Sequence, residues 1–184
     1  MCKSNEQNFN WLLFQRLSIF LYMAVGILLL IYALGFVSNV YIFYAYGGKG
    51  LVDFYHEMQI LNKGLLWKAI AAVCFSFVLL LLELGKHPAG IITLVVTVII
   101  TSVSIFFSVD SLAALADARL LYSDLDFNSL NRYIERGAIK YEYSTLTFDL
   151  GLAGYSLFLL TSLCMIFTVI RNAFTVKSTE GGIK

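Results

Sequence analysis

The residues able to do chemistry in this chain fall into three groups. His56 and Glu57 open the run HEMQI, which begins like the helix of a zinc protease. In that helix a second histidine stands four residues after the first, so both reach one metal ion while the glutamate acts as base. Here Ile60 holds that position and the metal has no second ligand. The other histidine, His87, lies in a Gly-Lys-His-Pro turn, where a solvated ring is favoured over a ligand. The second group is acidic: Asp110, Asp117 and Asp124 recur every seven residues and share a face of any helix that carries them, with Asp126, Glu142 and Asp149 in the same half of the chain. Oxygen-rich clusters can hold calcium. No loop has an ion-binding spacing, however, and Arg119, Arg132, Arg136 and Lys140 stand ready as partners, so a solvated or salt-bridged face is favoured. The third group is a line of hydroxyls, Thr93, Thr97, Thr101, Ser104 and Ser108, which fall within roughly a quarter turn of one another at about 100° per residue.

A polar line in an apolar segment is either a path or a seam. A path for ions or protons needs an ionisable group along it. Asp110 lies nine residues beyond Thr101, which on a regular helix is the opposite face, with Ile99, Val103 and Phe106. The line therefore passes the nearest carboxylate without including it. Small hydroxyl residues on one face also suit close helix packing in lipid, and the seam is the favoured reading. Matching small residues occur elsewhere: Ser18, Tyr22, Gly26 and Ala33 in the first apolar block, and Gly151, Gly154, Thr161 and Thr168 in the last. Gly154, Thr161 and Thr168 repeat every seven residues, a spacing that goes with left-handed helix crossing. No glycine-rich phosphate loop is found, and no serine or cysteine has a histidine suggested as its base. The sequence thus offers no catalytic, cofactor-binding or metal-ligating set.

These groups sit in a chain built for lipid. Of its 184 residues, 59% are hydrophobic and 14% charged, the latter about half the share usual in soluble domains. The apolar residues form blocks, against about 20 residues needed for one helical crossing. Leu17–Gly48, Ala89–Val109 and Leu150–Ile170 carry no charge, and Ala69–Leu82 extends back to Leu65. The expectation is an all-α integral membrane protein, an antiparallel four-helix transmembrane bundle forming a single domain over 1–184. Its spans cover about 12–36, 65–84, 89–110 and 149–171, with outer loops at about 37–64 and 111–148. The first block exceeds one crossing, and Gly35 is its expected exit, leaving VSNVYIFYAYGG at the interface.

A small structured extracytoplasmic cap is expected on the outer loops. Leu51, Phe54, Tyr55, Met58 and Leu61 share one face of a short amphipathic helix, with Asp53, His56, Glu57 and Lys63 opposite and Ile60 as the exception. SLAALADARLLY extends the third span into water, and Phe127–Arg136 reads as a further helix, capped by Asp126 and stopped by Gly137. The β-prone runs VYIFYAY and IKYEYSTLTF would allow a two-stranded pairing as a lesser feature. Phe54, Tyr55, Asp110, Asp117 and Asp124 are candidates for an outer interaction surface. The aromatic crowd from Tyr41 to Tyr46, with Trp67, Tyr122, Tyr141 and Tyr143, reads first as a membrane-interface belt.

Cysteine usage narrows the analogies. The four-span layout with two outer loops resembles that of claudin-like proteins, and Gly64–Trp67 reads GLLW. The cysteine pair that marks the first outer loop of those families is absent, so the resemblance is one of layout alone. A CxxC thiol relay of the disulfide-forming type is excluded on the same ground. The expected role is a non-catalytic membrane subunit or scaffold, with no cofactor and no nucleic acid. Its partners would be the lipid bilayer and other membrane protein subunits or further copies of itself. The alternative is a small oligomeric channel or carrier whose path the Thr/Ser line forms.

Orientation follows from the basic residues. Nothing at the amino terminus reads as a cleaved signal, so the first span is expected to be retained. Lys3, Arg16, Lys86, Arg171, Lys177 and Lys184 then lie on the short inner side. Lys49, Lys63, Lys68, Arg119, Arg132, Arg136 and Lys140 are spread over outer loops about twice as long, and the denser side is cytoplasmic. Both termini are therefore expected inside. In a chain freed of its native cysteines, Ser129→Cys should react with an impermeant thiol reagent on intact cells and Ser178→Cys only after permeabilisation. Labelling of both from one side would overturn the four-span topology.

Overall fold

The computed structural model describes residues 2–44, 49–84, 91–125 and 144–180, and the side chains of 13–36, 53–83, 91–125 and 144–171. Four helices account for nearly all of them: α1 (Cys2–Tyr44), α2 (Lys49–Leu84), α3 (Ile91–Ser123) and α4 (Leu146–Glu180). Within them Leu13–Phe36, Asp53–Glu83, Ile91–Ser123 and Leu146–Arg171 are each long and apolar enough to cross a membrane. A helix is the natural state for such segments, because it satisfies every internal N–H and C=O without help from water.

The inward faces follow a four-three alternation. On α3 the buried positions run Thr97, Thr101, Ser104, Ser108, Ser111, Leu115, Ala118 and Tyr122, with Ile100 buried beside Thr101. On α4 they run Phe148, Gly151, Tyr155, Phe158, Ser162, Met165 and Thr168, with Thr161 buried beside Ser162, and on α2 Leu65, Ala69, Ala72, Ser76 and Leu79. A mean repeat of 3.5 keeps one stripe facing its neighbours as helices supercoil left-handedly. The outward faces keep large apolar side chains exposed, Phe20, Leu28, Leu81, Phe106 and Phe167 among them. In lipid such exposure costs nothing, because the tails are as apolar as the core.

The helices pack as two close pairs. α1 has its most extensive contact with α2, and α3 with α4; the α1–α4 side is shorter and the α2–α3 side the shortest. At one end Glu83, near the close of α2, accepts from Gln15 Nε2 at 3.0 Å and pairs with Arg16 of α1 at 3.4 Å. At the other end Tyr32 of α1 donates to the Thr147 carbonyl at 3.0 Å, and Phe148 takes the rings of Phe36 and Tyr122 at 6.1 and 5.3 Å. α4 starts there with local support: Thr145 Oγ1 donates to Asp149 Oδ2 at 2.8 Å, and Asp149 sits in the first turn, where a negative charge suits the helix dipole.

Three expectations change. α1 does not end at Gly35 but continues to Tyr44, so Val40–Tyr44 are helical and not a strand. Their β propensity is a weak preference, readily overridden where a helix is already propagating and its backbone bonds are internal. Leu51–Leu61 is not a separate helix but the opening turns of α2, which runs unbroken through Gly64. Phe54 and Met58 are buried, as are Leu65 and Ala69 further along, while Asp53, His56, Glu57 and Lys63 are exposed, so the facial split holds inside a longer helix. Leu146–Phe148, the end of the second β-prone run, belong to α4, and no strand occurs among the described residues. The Phe127–Arg136 helix and the His87-Pro88 turn lie outside the described residues.

Close approach fixes one glycine. A methyl at Gly151 would overlap the Tyr32 hydroxyl and stand 2.6 Å from its Cζ and 3.0 Å from Leu115 Cδ1, whereas one at Gly26 would meet Ser76 and Ala72 at an ordinary 3.6–3.7 Å. Gly151→Ala should therefore lower thermal stability in detergent, by an overpacking cost of about 1–3 kcal/mol. Gly26→Ala should be neutral or stabilising, since alanine is the better helix former by about 1 kcal/mol. Equal melting shifts for the two would refute the close contact at Gly151.

Candidate functional site

The hydroxyl line occupies the inward face of α3. Thr93 is half-buried, and Thr97, Thr101, Ser104 and Ser108 are buried. Each buried member donates to its own helix: Thr97 to the Thr93 carbonyl and Thr101 to that of Thr97 at 2.7 Å, Ser104 to Ile100 and Ser108 to Ser104 at 2.8 Å. α4 repeats the habit. Thr161 and Ser162 donate to the Phe158 carbonyl at 2.9 and 2.8 Å, and Thr168 to Met165 at 2.7 Å. Such bonds satisfy a buried hydroxyl locally and leave a surface of small side chains for a neighbouring helix. Opposing surfaces are present: Gly151 lies under Tyr32, and the position a Gly154 methyl would take is 3.1 Å from Leu29 Cδ2.

A proton wire requires hydroxyls that donate to one another. Here the hydroxyl protons of the α3 line go to carbonyls. The hydroxyl-to-hydroxyl contact on this line is Tyr22 with Ser104, at 2.5 Å. Because the Ser104 proton is already given to Ile100, the Tyr22 O–H is the donor. That bond crosses the bundle from α1 to α3, and the Tyr22 ring also lies 4.9 Å from that of Phe158.

The line reaches further than its sequence spacing first suggested. Ser111, three residues beyond Ser108 and buried, is its next rung. Lys68 of α2 donates to Ser111 Oγ at 3.3 Å and to the Asp110 carboxylate. On α4 the Tyr155 hydroxyl reaches the Leu65 carbonyl of α2 at 3.4 Å. Asp110 itself is exposed, on the face shared with Ile99 and Phe106, yet Lys68 ties it to the end of the hydroxyl line. Read from sequence, Lys68 is a loop cation. The signals that could have found this junction are the continued three-four spacing to Ser111 and the position of Lys68 one residue before the apolar run of α2.

Of the other candidate residues, Phe54 is buried, its ring 6.0 Å from Tyr122, and Tyr55 is half-buried. Asp117 and Asp124 are exposed, and Asp149 pairs with Arg119 at 2.9 Å. His56 and Glu57 are exposed. Among the described residues no three His, Cys, Asp or Glu side chains gather as a metal-binding group. Cys74 and Cys164 are free thiols.

The described residues hold four helices of spanning length and apolar composition and no strand, which is compatible with a polytopic membrane protein, and that is the class the architecture defines. No protein-family model, no curated protein and no solved structure matches the chain.

Among the described residues, one buried side-chain polar atom lacks the compensation the others have. Asn62 Oδ1, on α2 between the inward positions Met58 and Leu65, is buried without a hydrogen-bond partner. An uncompensated amide costs about 1–3 kcal/mol. Asn62→Leu should raise the thermal midpoint in detergent, and a fall in stability would mean that the amide has a bonded partner in the folded protein.

Proposed function

We propose that the chain is a non-catalytic polytopic membrane protein, a subunit or scaffold that associates through its helices and through the end of the bundle where α2 begins and α3 ends. In this reading the four helices run antiparallel, both termini are cytoplasmic, and that end faces outward as a cap. The Thr/Ser line of α3 and the Gly151, Gly154, Thr161 and Thr168 positions of α4 serve as packing seams. Tyr55, Asp110, Asp117 and Asp124 offer the outer contact surface, with Phe54 beneath it. The observation that carries the reading is the direction of the hydroxyl bonds: Thr97, Thr101, Ser104 and Ser108 are each committed to their own backbone, which is how a polar residue is made compatible with tight apolar packing.

A second reading, a small oligomeric channel or carrier along the hydroxyl line, has one observation in its favour. The Lys68 ammonium meets the line at Ser111, which brings an ionisable group to its end.

Replacing Thr97 and Thr101 together separates the two. In a seam, the double alanine variant preserves close approach and should assemble in mild detergent as the parent does, since interhelical bonds in membranes average only about 0.6 kcal/mol. The double leucine variant should assemble poorly, because added bulk forces the helices apart. Partners that co-purify with the parent should persist with the alanine variant and be lost with the leucine one. A well-assembled alanine protein that has lost a parental liposome flux would overturn the seam and establish the path.

A further inference from the structure

The four sides of the bundle are joined by different means. α1–α2 and α3–α4 are the two extensive contacts, so each pair behaves as one hairpin. The hairpins meet on two sides. On the α1–α4 side the contact is close: Tyr32 covers Gly151 and bonds the Thr147 carbonyl, Leu29 fits against Gly154, and Tyr22 packs on Phe158. On the α2–α3 side the helices touch least. What bridges them there is Phe54 with Tyr122, Phe75 stacked on Phe107 at 6.5 Å and 13°, and between these the Lys68 ammonium bonded to Asp110 and Ser111. The ring contacts are non-directional and survive sliding. The Lys68 bonds are directional and are made only when α2 and α3 are in register.

We propose that the molecule opens as two hairpins, α1–α2 and α3–α4, turning about the α1–α4 contact, and that Lys68, bonded to Asp110 and Ser111, is the clasp on the opening side. The Lys68 side chain is 19% exposed and that of Asp110 54%, so the clasp lies at the rim of the seam with the buried Ser108 one turn behind it. On opening, Ser104 and Ser108 keep their bonds to their own helix, and the polar contacts given up with the clasp are those of the Tyr22 hydroxyl with Ser104 and the Tyr155 hydroxyl with the Leu65 carbonyl. This motion is independent of whether the bundle acts as a scaffold or as a path.

The test reads thiol accessibility in the full chain, reconstituted in liposomes, with Cys2, Cys74 and Cys164 replaced by alanine. Ser108→Cys reports on the seam. Ala72→Cys, buried against Gly26 inside the α1–α2 hairpin, is the control for general unfolding. Adding Lys68→Met should accelerate N-ethylmaleimide labelling at Ser108→Cys by about fivefold, the scale set by loss of a partly exposed ion pair, and leave Ala72→Cys unchanged. Lys68→Arg, which keeps the charge and the donors, should preserve slow labelling. Unchanged labelling at Ser108→Cys, equal acceleration at both sites, or an arginine variant as open as the methionine one would each overturn the clasp.

Discussion

Four buried hydroxyls on the inward face of α3, those of Thr97, Thr101, Ser104 and Ser108, return their protons to carbonyls of their own helix, and the packing of the bundle depends on that closure. A serine or threonine with a free donor inside an apolar assembly must be matched by an acceptor on another helix, which fixes register through polar geometry. Once the donor is satisfied locally, the same residue is merely small. Neighbouring helices then approach according to volume, and register is left to large side chains resting over glycines, as Tyr32 does over Gly151 and Leu29 over Gly154. Apart from the bonds of Gln15, Arg16, Lys68 and Arg119, the bonds described between helices, Tyr22 to Ser104, Tyr155 to Leu65 and Tyr32 to Thr147, come from tyrosines long enough to span the gap.

The ion pairs described between helices fall at two levels, toward the two ends of the apolar lengths. Arg16 and Glu83 mark one, and Lys68, Asp110, Arg119 and Asp149 the other. Between them α2 rises about 22 Å from Lys68 to Glu83, and α4 about 33 Å from Asp149 to Arg171, an interval that brackets a hydrocarbon core of about 30 Å. Beyond the second level α2 and α3 continue with the same inward periodicity, burying Phe54, Met58, Leu115, Ala118 and Tyr122. The helical core therefore extends past the charged belt without a change in its packing rule.

The spans were legible in the sequence because uncharged blocks of crossing length admit few other structures. The hydroxyl line was legible too, since its period is helical and its neighbours are apolar. Element boundaries were not. Gly35 looked like a place to stop, but a glycine can sit in a continuing helix at modest cost, and tertiary burial of Phe54 and Met58 joins Leu51–Leu61 to the span that follows. The junction at Lys68 was illegible for a different reason. Spacing along α3 relates Asp110 and Ser111 to their own helix alone, and only the relative depth of α2 brings an ammonium to both. Pairings between helices depend on that depth, which no single helix records.

Satisfaction within one helix also bears on how such a chain is made. A segment whose hydroxyls are already bonded to its own backbone can leave an insertion channel for lipid by itself, without waiting for a companion to shield them. Residues 97–108 of α3 and 161–168 of α4 meet that condition at each buried hydroxyl. Lys68 and Asp110 do not, for each is neutralised by a residue on another helix. Biogenesis of this fold thus divides in two: the apolar spans can enter the bilayer one at a time, and the charge pair between α2 and α3 closes only after both have arrived.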